Sequence, residues 1–117
     1  MASAYLSAFG RPPNKAELND MAALAATLGL TDVIHRAVSM AALKGARSVP
    51  AYVRAIGGEW RFNRITNQDQ LDEYLYLSDC AAGRLTGCGA LDPAEARRRI
   101  QDTREARWEA FHAQHDP

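Results

Sequence analysis

The chain has 117 residues, enough for one hydrophobic core and not for two. Its 47% apolar and 24% charged residues are ordinary for a globular protein and exclude wholesale disorder. Fourteen basic residues balance fourteen acidic ones, which argues against a general polyanion binder, and no apolar run approaches the roughly 20 residues that a membrane span needs.

The N-terminal MASAYLSAFGRPP lacks the basic start and apolar stretch of a secretory signal. A first helix is expected over about Ala2 to Phe9, with Tyr5, Leu6 and Phe9 on one face, ending at Gly10 and Arg11-Pro12-Pro13. Asn14 with Glu17 three residues on reads as a capping box for a helix to about Leu28, with Leu18, Met21, Ala22, Ala25 and Leu28 as its stripe and Gly29 as its stop. Thr31 or Asp32 is expected to cap a third helix to about Leu43, buried through Val33, Ile34, Ala37, Val38 and Ala41. Ser48, with Pro50 in the first turn, opens a fourth that carries Tyr52, Val53, Ile56 and Trp60. Gly57-Gly58 inside it predicts a kink, an early end, or a close approach of another backbone. Thr66 or Asn67 caps a fifth helix with Leu71, Tyr74, Leu75 and Leu77. After a loop at Thr86-Gly87-Cys88-Gly89, Asp92-Pro93-Ala94-Glu95 opens a last helix to about His112. That helix is charged nearly all round, with Ile100, Trp108 and Phe111 as its apolar content, so it packs by a narrow stripe or projects.

Charge is unevenly distributed. Arg36 to Arg64 holds six bases (Arg36, Lys44, Arg47, Arg54, Arg61, Arg64) against one acid, Glu59. Ile65 to Glu95 holds six acids against one base, Arg84. Such asymmetry marks an anionic partner for the basic segment, or else two stretches that face and neutralise each other. In Arg97-Arg98-Arg99, Arg104 and Arg107, interleaved Asp102, Glu105 and Glu109 predict an ion-paired exposed helix.

Tyr52 to Trp60 fits the pattern Tyr-x3-Ile-x3-Trp and resembles the signature near the end of the DnaD domain. Tyr5 to Pro12 is similar to that family's opening aromatic-Gly-Arg-Pro segment. Asn14 to Gly29 resembles its second helix and turn. Ala37, Ala41 and Gly45 to Val49 resemble the approach to the signature, and Arg61 to Thr66 the exit. The resemblance covers about Ala4 to Asn67; Gly57-Gly58 departs from it, because the family has helix-favouring residues there. It implies an all-α, compact multi-helix DnaD-like domain over 1–67, with one or two further helices over 68–117 packed on it or projecting. It also implies a stand-alone module of a phage or mobile element, tied to replication initiation or helicase loading.

Tyr52, Ile56 and Trp60 lie one turn apart on one helical face, which suits core packing as well as base stacking. Arg54, Arg61 and Arg64, with Lys44 and Arg47, are the expected DNA contacts, a solvated face being the plainer alternative. Cys80 and Cys88 are too far apart, with His112 and His115 at the chain's end, for a usual zinc site. Cys80 reads as a small buried apolar residue. His35 reads as a surface or boundary residue. No phosphate-cradling loop, nucleophile elbow or paired histidine–carboxylate motif is present, so neither catalysis nor a cofactor is expected. The chain is expected in the cytoplasm with reduced thiols, away from the membrane. Its expected partners are DNA, held weakly and without sequence preference, and/or a replicative helicase or other replication proteins, with a homo-oligomer left open. The alternative from another class is a protein–protein adaptor or inhibitor that binds a host factor and not DNA.

Overall fold

The computed structural model describes Tyr5, Leu6 and residues 9–115. Among them the fold is all helix, with five helices: α1 (Lys15–Leu28), α2 (Ile34–Leu43), α3 (Val49–Phe62), α4 (Gln68–Ala81) and α5 (Pro93–His115). Of the helix expected over 2–9, Tyr5, Leu6 and Phe9 are helical, and the remainder lies outside the described residues.

The starts follow from local chemistry. Asn14 accepts from the Glu17 N–H while the Glu17 carboxylate accepts from the Asn14 N–H, the reciprocal capping box. Glu17 also takes the Tyr5 hydroxyl and, at 2.9 Å, the Arg11 guanidinium, which lies over the Tyr5 ring. The aromatic-Gly-Arg-Pro opening is thereby tied to the first turn of α1. Ser48 caps α3 and Asn67 caps α4; Asp92 accepts from the Ala94 and Glu95 N–H groups at the start of α5. The expected cap of α2 by Thr31 or Asp32 is not formed. A tight turn over 31–33 carries the chain straight into the helix, and Val33, buried in the core, stands at the cap position without a side-chain acceptor.

Four helix ends share one pattern. After α1, α2, α3 and α4 the chain makes a six-to-one and a five-to-two backbone hydrogen bond, the Schellman arrangement, which requires a left-handed residue. Gly29, Gly45 and Gly83 fill that position after α1, α2 and α4. After α3 it is Arg64, at φ 54°. A side chain there costs roughly 1–2 kcal/mol.

The core sits among α1, α2 and α3 and is closed by α4. Met21, Leu24 and Ala25 of α1 meet Ile34, Ala37, Val38 and Ala41 of α2 and Val49, Val53 and Trp60 of α3, with Tyr5, Leu30, Val33 and Ile65 from the connections and Leu71 and Tyr74 from α4. Ala22, expected in the stripe of α1, is exposed; the buried stripe runs through Met21, Leu24 and Ala25, with Leu24 on the far side of it from Ala22. α3 runs unbroken through Gly57-Gly58. Gly57 is buried on the face that carries Val53 and Trp60. Each glycine costs about 1 kcal/mol against alanine, and burying large side chains on either side, at about 1.5–3 kcal/mol each, outweighs that.

α5 packs along α4 rather than projecting, with Leu77, Cys80 and Ala96 buried and Ile100 packed against the core. Its ion pairs are not those expected from Asp102, Glu105 and Glu109. Arg98 and Arg99 both pair with Glu95, three and four residues earlier. An acid N-terminal to its arginine, in the first turn of a helix, suits the helix dipole.

Candidate nucleic-acid interface

The buried face of α3 separates its two edges. One edge lies beside α1: Arg54 borders a shallow depression with Asp20, Thr27 and Pro50, and the Arg61 guanidinium donates to the Thr27 carbonyl at 3.3 Å, in the last turn of α1 where a cation is favoured. Both side chains are exposed. Two turns of helix separate them, about 10 Å along the axis. Arg47, exposed at the α2–α3 turn, precedes Arg54 by the same seven residues. Among the described residues Lys44, Arg47, Arg54 and Arg61 make no ion pair. Arg36 does, with Asp72 at 2.9 Å, the one place where the basic and acidic stretches neutralise each other by contact.

The other edge of α3 borders a groove of about 490 Å³ between α3 and α4. Met40, Tyr52, Ile56 and Leu75 make it apolar, and Lys44, Glu59, Asp79 and Arg84 line it with charge of both signs. Within it the Tyr74 hydroxyl donates to Glu59. Burial first, then the bond to that carboxylate, pushes the phenol well above its ordinary value, so it stays a donor.

The exit of α3 is the third region. Arg64 lies against two rings of α5, 3.9 Å from the Phe111 centroid and 5.2 Å from that of Trp108. The Trp108 indole N–H donates to the Phe62 carbonyl at 2.6 Å, and Arg107 donates to the Asn63 carbonyl. α5 thus satisfies carbonyls that the end of α3 leaves open. Arg104 lies 4.6 Å over the Phe62 ring, which keeps 57% exposure.

Residues 3–75, more than half the chain, match the family model DnaB_2, replication initiation and membrane attachment. The chain belongs to that family. No curated protein and no solved structure matches it. The DnaD-like resemblance read from the signature is this membership, and the matched segment takes in α1, α2, α3 and the first half of α4. Membrane attachment belongs to the family's description; among the described residues no helix is long and apolar enough to cross a membrane.

Within this replication-initiation domain the signature residues divide. Trp60 is fully buried in the core, while Tyr52 and Ile56 are half-buried at the edge of the groove. The five basic residues are not brought to one patch. Arg54 and Arg61 share the α1 edge, Arg47 stands before them, Lys44 lines the groove and Arg64 turns to α5. Sequence reasoning missed Phe62, Arg104, Arg107, Trp108 and Phe111 as a group. One local signal was available: an arginine where a glycine closes α1, α2 and α4.

Proposed function

We propose that this chain is a replication-initiation accessory module that binds DNA through its phosphates and carries out no catalysis. Membership of the replication-initiation family supports the setting. The observation that carries DNA contact is the pair Arg54 and Arg61, exposed, without an ion pair among the described residues, and two turns apart on one edge of α3. Arg47, exposed at the α2–α3 turn, precedes this pair in the chain, and Lys44 lines the groove on the other edge of α3. Arginines so spaced contact successive parts of a phosphate backbone without reading bases, so binding is weak, indifferent to sequence and salt-sensitive. The module acts in the cytoplasm, where helicase loading takes place.

The double variant Arg54→Ala/Arg61→Ala tests this reading by titration with DNA at several salt concentrations. Loss of two phosphate contacts weakens binding to all sequences alike and flattens the plot of log affinity against log salt by about two units. The fold is retained, because both side chains are exposed. Unchanged affinity and slope in the double variant would sink the proposal.

A second reading rests on the α3–α4 groove. An apolar floor of Met40, Tyr52, Ile56 and Leu75 with charged walls suits a helix of a replication protein, such as a helicase, or of a host factor met by a mobile-element adaptor. On that reading the double variant has no effect, and Ile56→Glu abolishes partner binding.

A further inference from the structure

The exit of α3 combines features that its Schellman turn does not require. The same backbone pattern closes α1, α2 and α4 with glycine, and after α3 an arginine holds the left-handed position. Strain kept at one such position is an observation that asks for a use. The Arg64 guanidinium is held against the Phe111 and Trp108 rings, 3.9 and 5.2 Å from their centroids. Stacking takes up the face of a guanidinium and leaves the N–H donors of its edge. Arg64 and Arg107 border a pocket of about 200 Å³ that no acid lines, and among the described residues neither makes an ion pair. Arg107 is fixed from one side by the Asn63 carbonyl. In the same wall the Gln70 side-chain oxygen accepts from both the N–H and the hydroxyl of Thr66, so the amide NH2 is what Gln70 has left to offer. Ala110 and the Phe111 ring complete the wall with carbon.

We propose that this pocket is a docking site for an acidic peptide of a protein partner, which places one Asp or Glu carboxylate between Arg64 and Arg107 and an apolar residue against Ala110 and Phe111. A volume of about 200 Å³ is below the roughly 300–1,000 Å³ of a site for a whole small molecule, and it suits a single side chain. The planar fork of an arginine matches a carboxylate with two parallel hydrogen bonds, and both arginines here are already held in place, so little freedom is lost on binding. A nucleic-acid strand fits the pocket less well. It brings a base with each phosphate, and the three rings at this junction already carry guanidinium groups, Phe111 and Trp108 that of Arg64 and Phe62 that of Arg104. The Trp108 ring is further stacked by His112. Arg107, Ala110, Phe111 and Gln114 lie beyond residue 75, outside the segment that matches the family, so the pocket is built by this chain's own C-terminal helix on the end of the family domain. It uses neither the Arg54 and Arg61 edge nor the α3–α4 groove, and it does not depend on DNA contact.

The test is fluorescence anisotropy with the full chain at low ionic strength, where charge pairs are least screened. The probe is a short labelled peptide with Asp-Leu-Asp between glycine–serine flanks, and the control is the same peptide with Asn-Leu-Asn. The acidic peptide is expected to bind and the amide control is not. Arg64→Gly, which sets at this turn the residue used at the other three, is expected to weaken acidic-peptide binding roughly 10- to 150-fold, the range for a hydrogen bond to a charged group. Gln114→Glu, an exposed change that sets a carboxylate in the pocket wall without touching packing, is expected to weaken it as well, and Gln114→Lys to strengthen it. No binding of the acidic peptide, equal binding of the two peptides, or an affinity that survives both Arg64→Gly and Gln114→Glu overturns the site. Oligothymidine is the competitor, used with the Arg54→Ala/Arg61→Ala variant so that the other basic edge is silent. The peptide is expected to stay bound; its displacement makes the pocket a nucleic-acid site and overturns the peptide assignment. Either result leaves DNA contact at Arg54 and Arg61 to its own titration.

Discussion

Trp60 decides whether the family signature is a structural or a contact element. Its side chain is fully buried between α1, α2 and α3, so removing it leaves a cavity rather than an exposed gap. An indole buries about 150–250 Å², worth about 4–6 kcal/mol at about 25 cal/mol per Å². Trp60→Ala keeps only the β-carbon of it, and large-to-small changes of this kind cost about 3–5 kcal/mol. A domain of this size is stable by about 5–15 kcal/mol, so the variant loses a large part of its margin. At about 4 °C per kcal/mol, the melting temperature falls by about 12–20 °C. Thermal melting followed by far-ultraviolet circular dichroism measures it, with urea unfolding as a check on the slope. Trp60→Phe refills part of the space and is expected to fall between the two. A Trp60→Ala variant that melts with the wild type, yet no longer binds DNA, would refute the packing argument and make the ring a contact.

Two further substitutions test neighbouring claims. Gly58 is exposed in the middle of α3, and a β-carbon there meets nothing within 4 Å, so Gly58→Ala is expected to raise stability by about 1 kcal/mol, read as a higher urea midpoint at constant slope. Arg64→Gly exchanges about 1–2 kcal/mol of left-handed strain for about 0.5–2 kcal/mol of contact with Trp108 and Phe111. It is expected to leave stability within about 1 kcal/mol of wild type; a large loss of stability would mean that the contact with the two rings outweighs the left-handed strain.

The helices were legible in the sequence because their signals are local. Asn14 with Glu17, Ser48 and Asp92-Pro93 each announce a start within four residues, and Val33, Ile34, Ala37, Val38 and Ala41 recur at the helical period and are all buried. α2 escaped its expected cap because the turn before it is held by burial of Leu30 and Val33, a tertiary effect that no capping rule sees. Propensity alone leaves a kink, an early end or a close backbone approach open at the glycine pair; the packing of Val53 and Trp60 on either side keeps the helix continuous. The site was less legible than the fold. Charge counting along the chain put Lys44, Arg47, Arg54, Arg61 and Arg64 in one group, whereas successive helical positions point to different neighbours. The junction at the end of α3 depends on Trp108 meeting Phe62, 46 residues apart, and α5 has too few apolar residues to reveal which face would pack.

The central claim is that this replication-initiation domain holds DNA by phosphate contacts, and the salt dependence of binding tests it most directly. A titration of the wild-type chain with single- and double-stranded DNA is begun at low ionic strength and repeated as salt is raised. The expected result is measurable binding that falls steeply and linearly in log affinity against log salt, with a slope corresponding to at least the two contacts of Arg54 and Arg61. No binding to either DNA form at low ionic strength, or binding that salt does not weaken, would contradict the claim and leave the α3–α4 groove as the working surface.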